Sequence, residues 1–255
     1  MDTLNQISQV IANIGILTFV VASMAALGLS LTINQILRPL RNGRLVIIAL
    51  LANFVLTPAL AFAIKTLIPM EEGYAIGLIL LATAAGAPFL PKLAQVAKGD
   101  IALSVGIMVL LMVTTVIYVP LVLPLLLPGV TVNPLDIAWS LVVLMLIPLA
   151  IGLFIKSRYG TVAESLQPHM AQISNMGLML GFVAILLLSW RSLLSTIGSG
   201  AILAAALLII GGFIIGWFLA GKERIVRSVL GLGTGQRNVA AALVVAGSNF
   251  SDPNV

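Results

Sequence analysis

Eight apolar runs, each about as long as the helix needed to cross a bilayer, take up most of this chain. A spanning helix requires roughly 20 mainly apolar residues. Charges, prolines and polar clusters bound runs at about 10–33, 45–64, 73–97, 101–127, 137–155, 170–189, 194–219 and 225–248. Only 8% of the 255 residues are charged and 60% are apolar, against about 25% charged in a soluble domain. That is too little polar surface for a water-soluble fold, and too much hydrophobicity for disorder. The expected fold is an all-α polytopic membrane protein. The connections are too short for a soluble domain, so residues 1–255 read as a single integral membrane domain. The first run lacks a basic flank before it and is followed by Arg38, Arg41 and Arg44, so it reads as a retained helix rather than a signal peptide.

The same composition excludes several chemistries. Without cysteine there is no disulfide, thiolate metal site or cysteine nucleophile. A single histidine, His169, excludes a histidine metal cluster and weakens any Ser-His-Asp hydrolase. Asp2, Glu71, Glu72, Asp100, Asp136, Glu164, Glu223 and Asp252 all fall on flanks or loops. The spans therefore contain no carboxylate proton relay, no acid pair for hydrolysis and no charged ligand for a sodium ion. An enzyme is not expected.

The net charge of +5 is distributed as topology, not as a nucleic-acid surface, and no nucleic-acid partner is expected. With the N-terminus on one side, Arg38, Arg41, Arg44, Lys98, Lys156, Arg158, Lys222, Arg224 and Arg227 fall on the other, while Lys65 and Arg191 stay with the N-terminus. The positive-inside rule then places the N-terminus outside a cytoplasmic membrane.

Two runs differ from the rest. The third contains Ala84-Ala85-Gly86-Ala87-Pro88-Phe89-Leu90-Pro91-Lys92, and the eighth contains Gly231-Leu232-Gly233-Thr234-Gly235-Gln236-Arg237-Asn238. Pro88 and Pro91 remove backbone donors and clash with the preceding turn. The alternating glycines loosen the other helix ahead of four polar residues. Breaks are expected at Gly86–Pro91 and Gly231–Gln236. An interrupted helix survives in lipid only against protein or a wet cavity. Spans three and eight run in opposite directions, and paired interruptions in antiparallel halves point to a transporter's binding site.

Candidate site residues follow from that placement: Gly86, Pro88, Pro91, Lys92, Gly233, Thr234, Gly235, Gln236, Arg237 and Asn238 for substrate. A central arginine costs roughly 2.5–3.5 kcal/mol to insert, so Arg237 needs a reason. It either braces the break through backbone carbonyls or supplies fixed positive charge to an anion. Lys92 either snorkels to the interface or faces the cavity directly after the break. Asn53 and Thr57 share a face just before Pro58, as interhelical hydrogen-bonding groups or as ligands. Gln95 and Ser104 flank the third and fourth spans, and His169 reads as an interfacial or helix-start residue.

These residues resemble the bile acid:sodium symporter family, which includes carriers of small organic anions. The stretch Gly233-Thr234-Gly235-Gln236-Arg237-Asn238-Val239-Ala240-Ala241-Ala242 is similar to the family's second crossover in its bacterial branches. Residues 84–94, followed by Lys98-Gly99-Asp100-Ile101-Ala102-Leu103-Ser104-Val105, resemble the first crossover and the next helix. Asn53-Phe54 with Thr57-Pro58-Ala59 resembles the helix before it. The resemblance runs from about residue 14 to 252. It implies inverted repeats with two crossing discontinuous helices. A core would hold spans two, three, four, seven and eight, and a panel spans one, five and six. By the resemblance, the family's final helix would begin near residues 252–255, and its remainder would be expected beyond 255.

The resemblance also implies a secondary active transporter of a small organic anion, moving core against panel, with Na+ as candidate coupling ion and no other cofactor. Ion ligands would come from Asn53, Ser104 and Gln236. In sodium-coupled members a Glu at the second crossover and a Ser-Asn pair at the first help bind two sodium ions. Those positions fall here at about Gly231 and Leu90-Pro91, which counts against sodium coupling. A channel or a non-transporting scaffold of the same fold is the alternative.

Overall fold

The computed structural model describes residues 2–127 and 133–250, except for the side chains of 2–9, 38, 185, 187–195 and 248. Pro128, the side chains of Arg38 and Arg191, and the helix expected from 252 onward lie outside the described residues.

Among the described residues every regular element is helical: α1 (Asp2–Ser30), α2 (Ile33–Leu40), α3 (Gly43–Leu51), α4 (Thr57–Leu67), α5 (Glu72–Thr83), α6 (Leu90–Val96), α7 (Ile101–Leu126), α8 (Pro134–Leu141), α9 (Ile147–Arg158), α10 (Gly160–Thr196), α11 (Ala201–Leu219), α12 (Arg224–Gly235) and α13 (Val239–Asn249). Wide π-helical turns at Ala52–Leu56 and Val142–Leu146 join α3 to α4 and α8 to α9. Six of the described stretches are long and apolar enough to cross a membrane: Val10–Ser30, Gly43–Leu67, Ile101–Leu126, Pro134–Arg158, Ala201–Leu219 and Arg224–Gly247. The chain is a multi-pass membrane protein. Of the other two expected spans, the third is divided between α5 and α6, and the sixth lies within the 37 residues of α10.

The chain forms two compact units, one of Met1–Thr32 with Trp139–Gly198 and one of Ile33–Ala138 with Ser199–Val255. This is the partition that the resemblance implied, with runs one, five and six in the first unit. In that unit α1 lies along α9 and α10. Glycines permit the approach: a Cβ on Gly15 would stand 2.5 Å from the backbone of Gly181, and one on Gly28 would run into the backbone of Leu149 and Gly152. Without a hydrophobic force between helices in lipid, such close contact supplies the packing. Ser174 adds a bond across the seam, donating to the Phe19 carbonyl at 3.3 Å.

Helix α10 starts about ten residues before the expected run, because Ala163, Glu164, Leu166 and Gln167 are good helix formers. His169 is thus interior to a helix, with Nδ1 2.7 Å from the Ser165 carbonyl. The exposed Lys156–Glu164 ion pair at 3.1 Å contributes at most about 1 kcal/mol.

The second unit is built around α7, whose Ile107, Met108, Leu111 and Met112 are fully buried. The π turns have a readable cause. Each precedes a proline, Pro58 or Pro148, by two residues. Pro58 has no N–H to offer the carbonyl four residues back. That carbonyl, of Phe54, instead accepts from Tyr118 Oη at 2.7 Å.

Both interruptions occur, at shifted places. The first opens at Ala84 and runs through Phe89, so Pro91 falls in the opening turn of α6, where proline's fixed φ and missing N–H are tolerated. The second is a correction. Gly231, Gly233 and Gly235 remain helical, and the chain opens only at Gln236–Asn238. The glycines serve close packing instead: a Cβ on Gly235 would lie 3.0 Å from Phe213 Cβ and the Ile209 carbonyl of α11. Partner glycines on α11 press equally close: a Cβ on Gly212 would lie 2.8 Å from the Thr234 carbonyl.

Candidate functional site

The two interruptions meet. At Ala84 and Gln236 the backbone turns from helical to extended. The Asn238 N–H donates to the Ala84 carbonyl at 3.0 Å. The Asn238 side chain donates to the carbonyls of Ala85 (3.3 Å) and Gly86 (3.1 Å), and its Oδ1 caps α13 by accepting from the Ala241 N–H at 3.1 Å. On α7, Thr115 closes the other flank. Its hydroxyl accepts from the Ala85 N–H at 2.9 Å and donates to the Ala85 carbonyl at 3.0 Å.

A helix that stops leaves its last carbonyls without N–H partners. The N–H that would have served Leu81 belongs to Ala85 and is held by Thr115. The one that would have served Thr234 belongs to Asn238 and goes to Ala84. Arg237 takes up these orphans. Nε donates to the Leu81 carbonyl at 3.0 Å, Nη2 to the Ala82 carbonyl, and Nη1 to the Thr234 carbonyl at 3.2 Å and Asn53 Oδ1 at 2.8 Å. One guanidinium thus caps the C-terminal ends of α5 and α12 together, where the helix dipoles favour a cation. The residue is only 4% exposed and has no carboxylate partner among the described residues. Of the two readings of Arg237, this geometry is the brace. Asn53 is held in turn, donating through Nδ2 to Ala49 O at 3.0 Å and Thr234 Oγ1 at 3.2 Å.

A cavity of about 380 Å³ adjoins the crossover, lined by Leu81, Leu93, Ile209, Phe213, Leu232, Gly235, Gln236, Arg237 and Val239. Gln236 Oε1 is buried there with no hydrogen-bond partner among the described residues. A buried amide oxygen in that state is an acceptor awaiting a donor.

The expected site residues divide accordingly. Asn53, Thr234 and Arg237 form one hydrogen-bonded cluster, Asn238 bonds the backbone at Ala84, Ala85 and Gly86, and Gln236 and Gly235 face the cavity. Gly233 packs 3.1 Å from Leu90 through its missing Cβ. Pro88 sits in the turn before α6, and Pro91 within it. Lys92 is exposed, its Nζ 5.6 Å from the Phe89 ring centre, and does not line the cavity. Ser104 is buried but donates to its own helix at Ile101 O, 2.7 Å away. Thr57 likewise turns back to Ala52 O at 2.7 Å. Thr115 and Tyr118 went unread in the sequence, where each is a single polar group in an apolar run.

A sodium ion at the crossover would need free oxygens. Leu81 O, Ala82 O, Thr234 O and Asn53 Oδ1 all receive guanidinium N–H groups, so this cluster does not fit a sodium ion while Arg237 is in place.

The sequence model of the family described as "Sodium Bile acid symporter family" matches residues 16–196. The chain is 26% identical over 239 residues to "Probable sodium/metabolite cotransporter BASS1, chloroplastic" of Arabidopsis thaliana, covering 91% of this chain and 58% of that protein. It is 25% identical over 243 residues to "Probable sodium/metabolite cotransporter BASS2, chloroplastic" of Oryza sativa subsp. japonica, covering 91% and 56%. The chain spans less than two thirds of the length of these relatives.

Proposed function

The chain belongs to the sodium bile acid symporter family of membrane transporters, and from that premise we propose that it carries a small organic anion by secondary transport, with weak or absent dependence on sodium. The observation that supports this reading is Arg237. It supplies fixed positive charge at the crossover and occupies Asn53 Oδ1, one of the ion ligands that the resemblance implied. The substrate would rest in the cavity beside Gln236 and Arg237, a volume suited to a small carboxylate with an apolar body. The reading includes one transporter domain of eight spans, with an inverted repeat relating the two interrupted helices. The names of these relatives favour a second reading, in which sodium drives uptake and is held by other oxygens such as Ser104 or Gln236.

Uptake of a panel of labelled carboxylates by proteoliposomes, under imposed sodium, proton or no gradients, tests both. Saturable uptake with counterflow and no sodium requirement is expected. A strict sodium requirement would establish the second reading. Flux without saturation or counterflow would indicate a channel, and no flux a scaffold.

The proposal places the basic loops in the cytoplasm and the N-terminus outside a cytoplasmic membrane. In the second unit the basic connections do gather at one end, with Arg44 and Lys222 lining one cavity and Lys98 and Arg224 another. The chain has no cysteine of its own, and Ser157 at the end of α9 is exposed. A Ser157→Cys variant in intact cells is expected to resist an impermeant maleimide until the cells are opened. Immediate labelling would invert the topology.

A further inference from the structure

The crossover leaves an anion without a free counter-charge. Arg237 is engaged by carbonyls, Gln236 is neutral, and Lys92 does not line the cavity. A second cavity, of about 650 Å³, lies at the basic end of the same unit, lined by Lys98, Arg224, Ser228 and Trp217. Phe213 and Leu232 line both cavities, so the two are neighbours across those side chains. Lys98 and Arg224 are exposed and make no ion pair among the described residues. Of the acids nearby in sequence, Asp100 caps α7 by accepting from Leu103 N–H at 3.0 Å, and Glu223 lines the cavity of Arg44 and Lys222 instead. Arg227 is also engaged, donating to Trp217 O at 3.2 Å with its guanidinium 4.6 Å from the Trp217 ring centre.

Lys98 is placed there against its backbone preference. It ends α6 in the left-handed region at φ 54, with Gly99 N–H closing back on Ala94 O at 2.7 Å. Glycine is the usual residue at such a helix end, since a side chain there is strained. A lysine in that position points to a use for its charge.

We infer that Lys98 and Arg224 form an anion-capture site, which takes the carboxylate of a soluble substrate at the basic mouth before it passes Phe213 and Leu232 to the crossover. The inference rests on the transporter reading above and adds residues to it. Apolar walls around like charges focus their field and raise the local concentration of an oppositely charged solute.

The test uses the full chain in phosphatidylcholine vesicles, with whichever carboxylate the uptake panel identifies. Lys98→Gly is expected to raise KM on the order of fivefold at low ionic strength while leaving the maximal rate in place, and Lys98→Arg to keep the wild-type KM. Arg224→Gln should act like Lys98→Gly. At about 0.5 M salt the difference should close, because screening shortens the reach of the charges. Lys98→Gly relieves a strained backbone, so it should melt no lower than wild type, which separates loss of capture from loss of fold. An unchanged KM, or a rise that ignores salt, overturns the site. So does an effect that appears only after phosphatidylglycerol is added, which would make the cavity a lipid headgroup site.

A second readout needs no transport. In a Trp139→Phe, Trp190→Phe background, the ratio of iodide to acrylamide quenching of Trp217 should be in excess of that for free tryptophanamide, and Lys98→Gly with Arg224→Gln should remove the excess. Excess quenching without any uptake would leave the capture site standing and the transporter reading fallen. Uptake without excess quenching would do the reverse.

Discussion

Arg237→Ala is expected to abolish transport and to destabilise the protein by several kcal/mol. The truncation leaves Leu81 O, Ala82 O, Thr234 O and Asn53 Oδ1 without the donors that now reach them. Each buried acceptor left unsatisfied costs about 1–3 kcal/mol, and partial rearrangement keeps the total below the simple sum. The larger consequence is mechanical. The guanidinium joins the ends of α5 and α12 through planar donors on three nitrogens, and no shorter side chain spans both. Arg237→Lys keeps the charge as a compact point on a flexible stem. It can serve one helix end at a time and should restore only part of the lost activity. Thermal unfolding in detergent and uptake in proteoliposomes measure the two effects separately. Normal transport by a folded Arg237→Ala protein would show that the crossover holds without its bridge.

Gly86→Ala is expected to prevent folding or to destabilise by more than about 4 kcal/mol, in the range reserved for backbone conflict. Two independent penalties coincide there. Gly86 has φ +80, which a side chain tolerates poorly. An added Cβ would also press on the backbone N of Met112 and stand 2.6 Å from Met108 O. Those are backbone atoms of α7, whose flanking Thr115 fixes the Ala85 peptide from both sides, so neither chain has room to retreat. Gly43→Ala is the control, since a Cβ there meets nothing within 4 Å. Yield of monodisperse protein from membranes, followed by its melting curve, reads the difference. A Gly86→Ala protein that melts with wild type would mean that α7 does not press on the first interruption.

The existence of both interruptions was legible because their causes are local. Proline, glycine and polar residues in the middle of an apolar run are visible without any partner. Their placement was less so. Gly231, Gly233 and Gly235 read as a loosened backbone, yet α11 packs against them and keeps that stretch helical. A glycine in a helix has the same local signature whether it marks a break or a close contact, and only the neighbouring helix decides. Arg237 stood out by its insertion cost, but its role depends on carbonyls of Leu81 and Ala82, more than 150 positions away. Thr115 gave no signal, since one hydroxyl in an apolar helix usually bonds its own turn. Lys92 drew attention for following two prolines. The short α6 instead presents it outward, while Lys98 at the end of the same helix lines a cavity. The division into two units followed the resemblance, not periodicity, because every apolar run looks alike to a hydropathy argument.

The capping of two helix ends by one arginine bears on energetics. A carrier that takes its central positive charge from a dissolved ion is tied to that ion's gradient, and its joint loosens whenever the ion leaves. Here the charge is covalently part of the chain, and it neither enters nor departs with the cargo. Under the reading proposed above, the work of concentrating a substrate would then have to come from something other than sodium, and the proteoliposome assay would show counterflow with no sodium present.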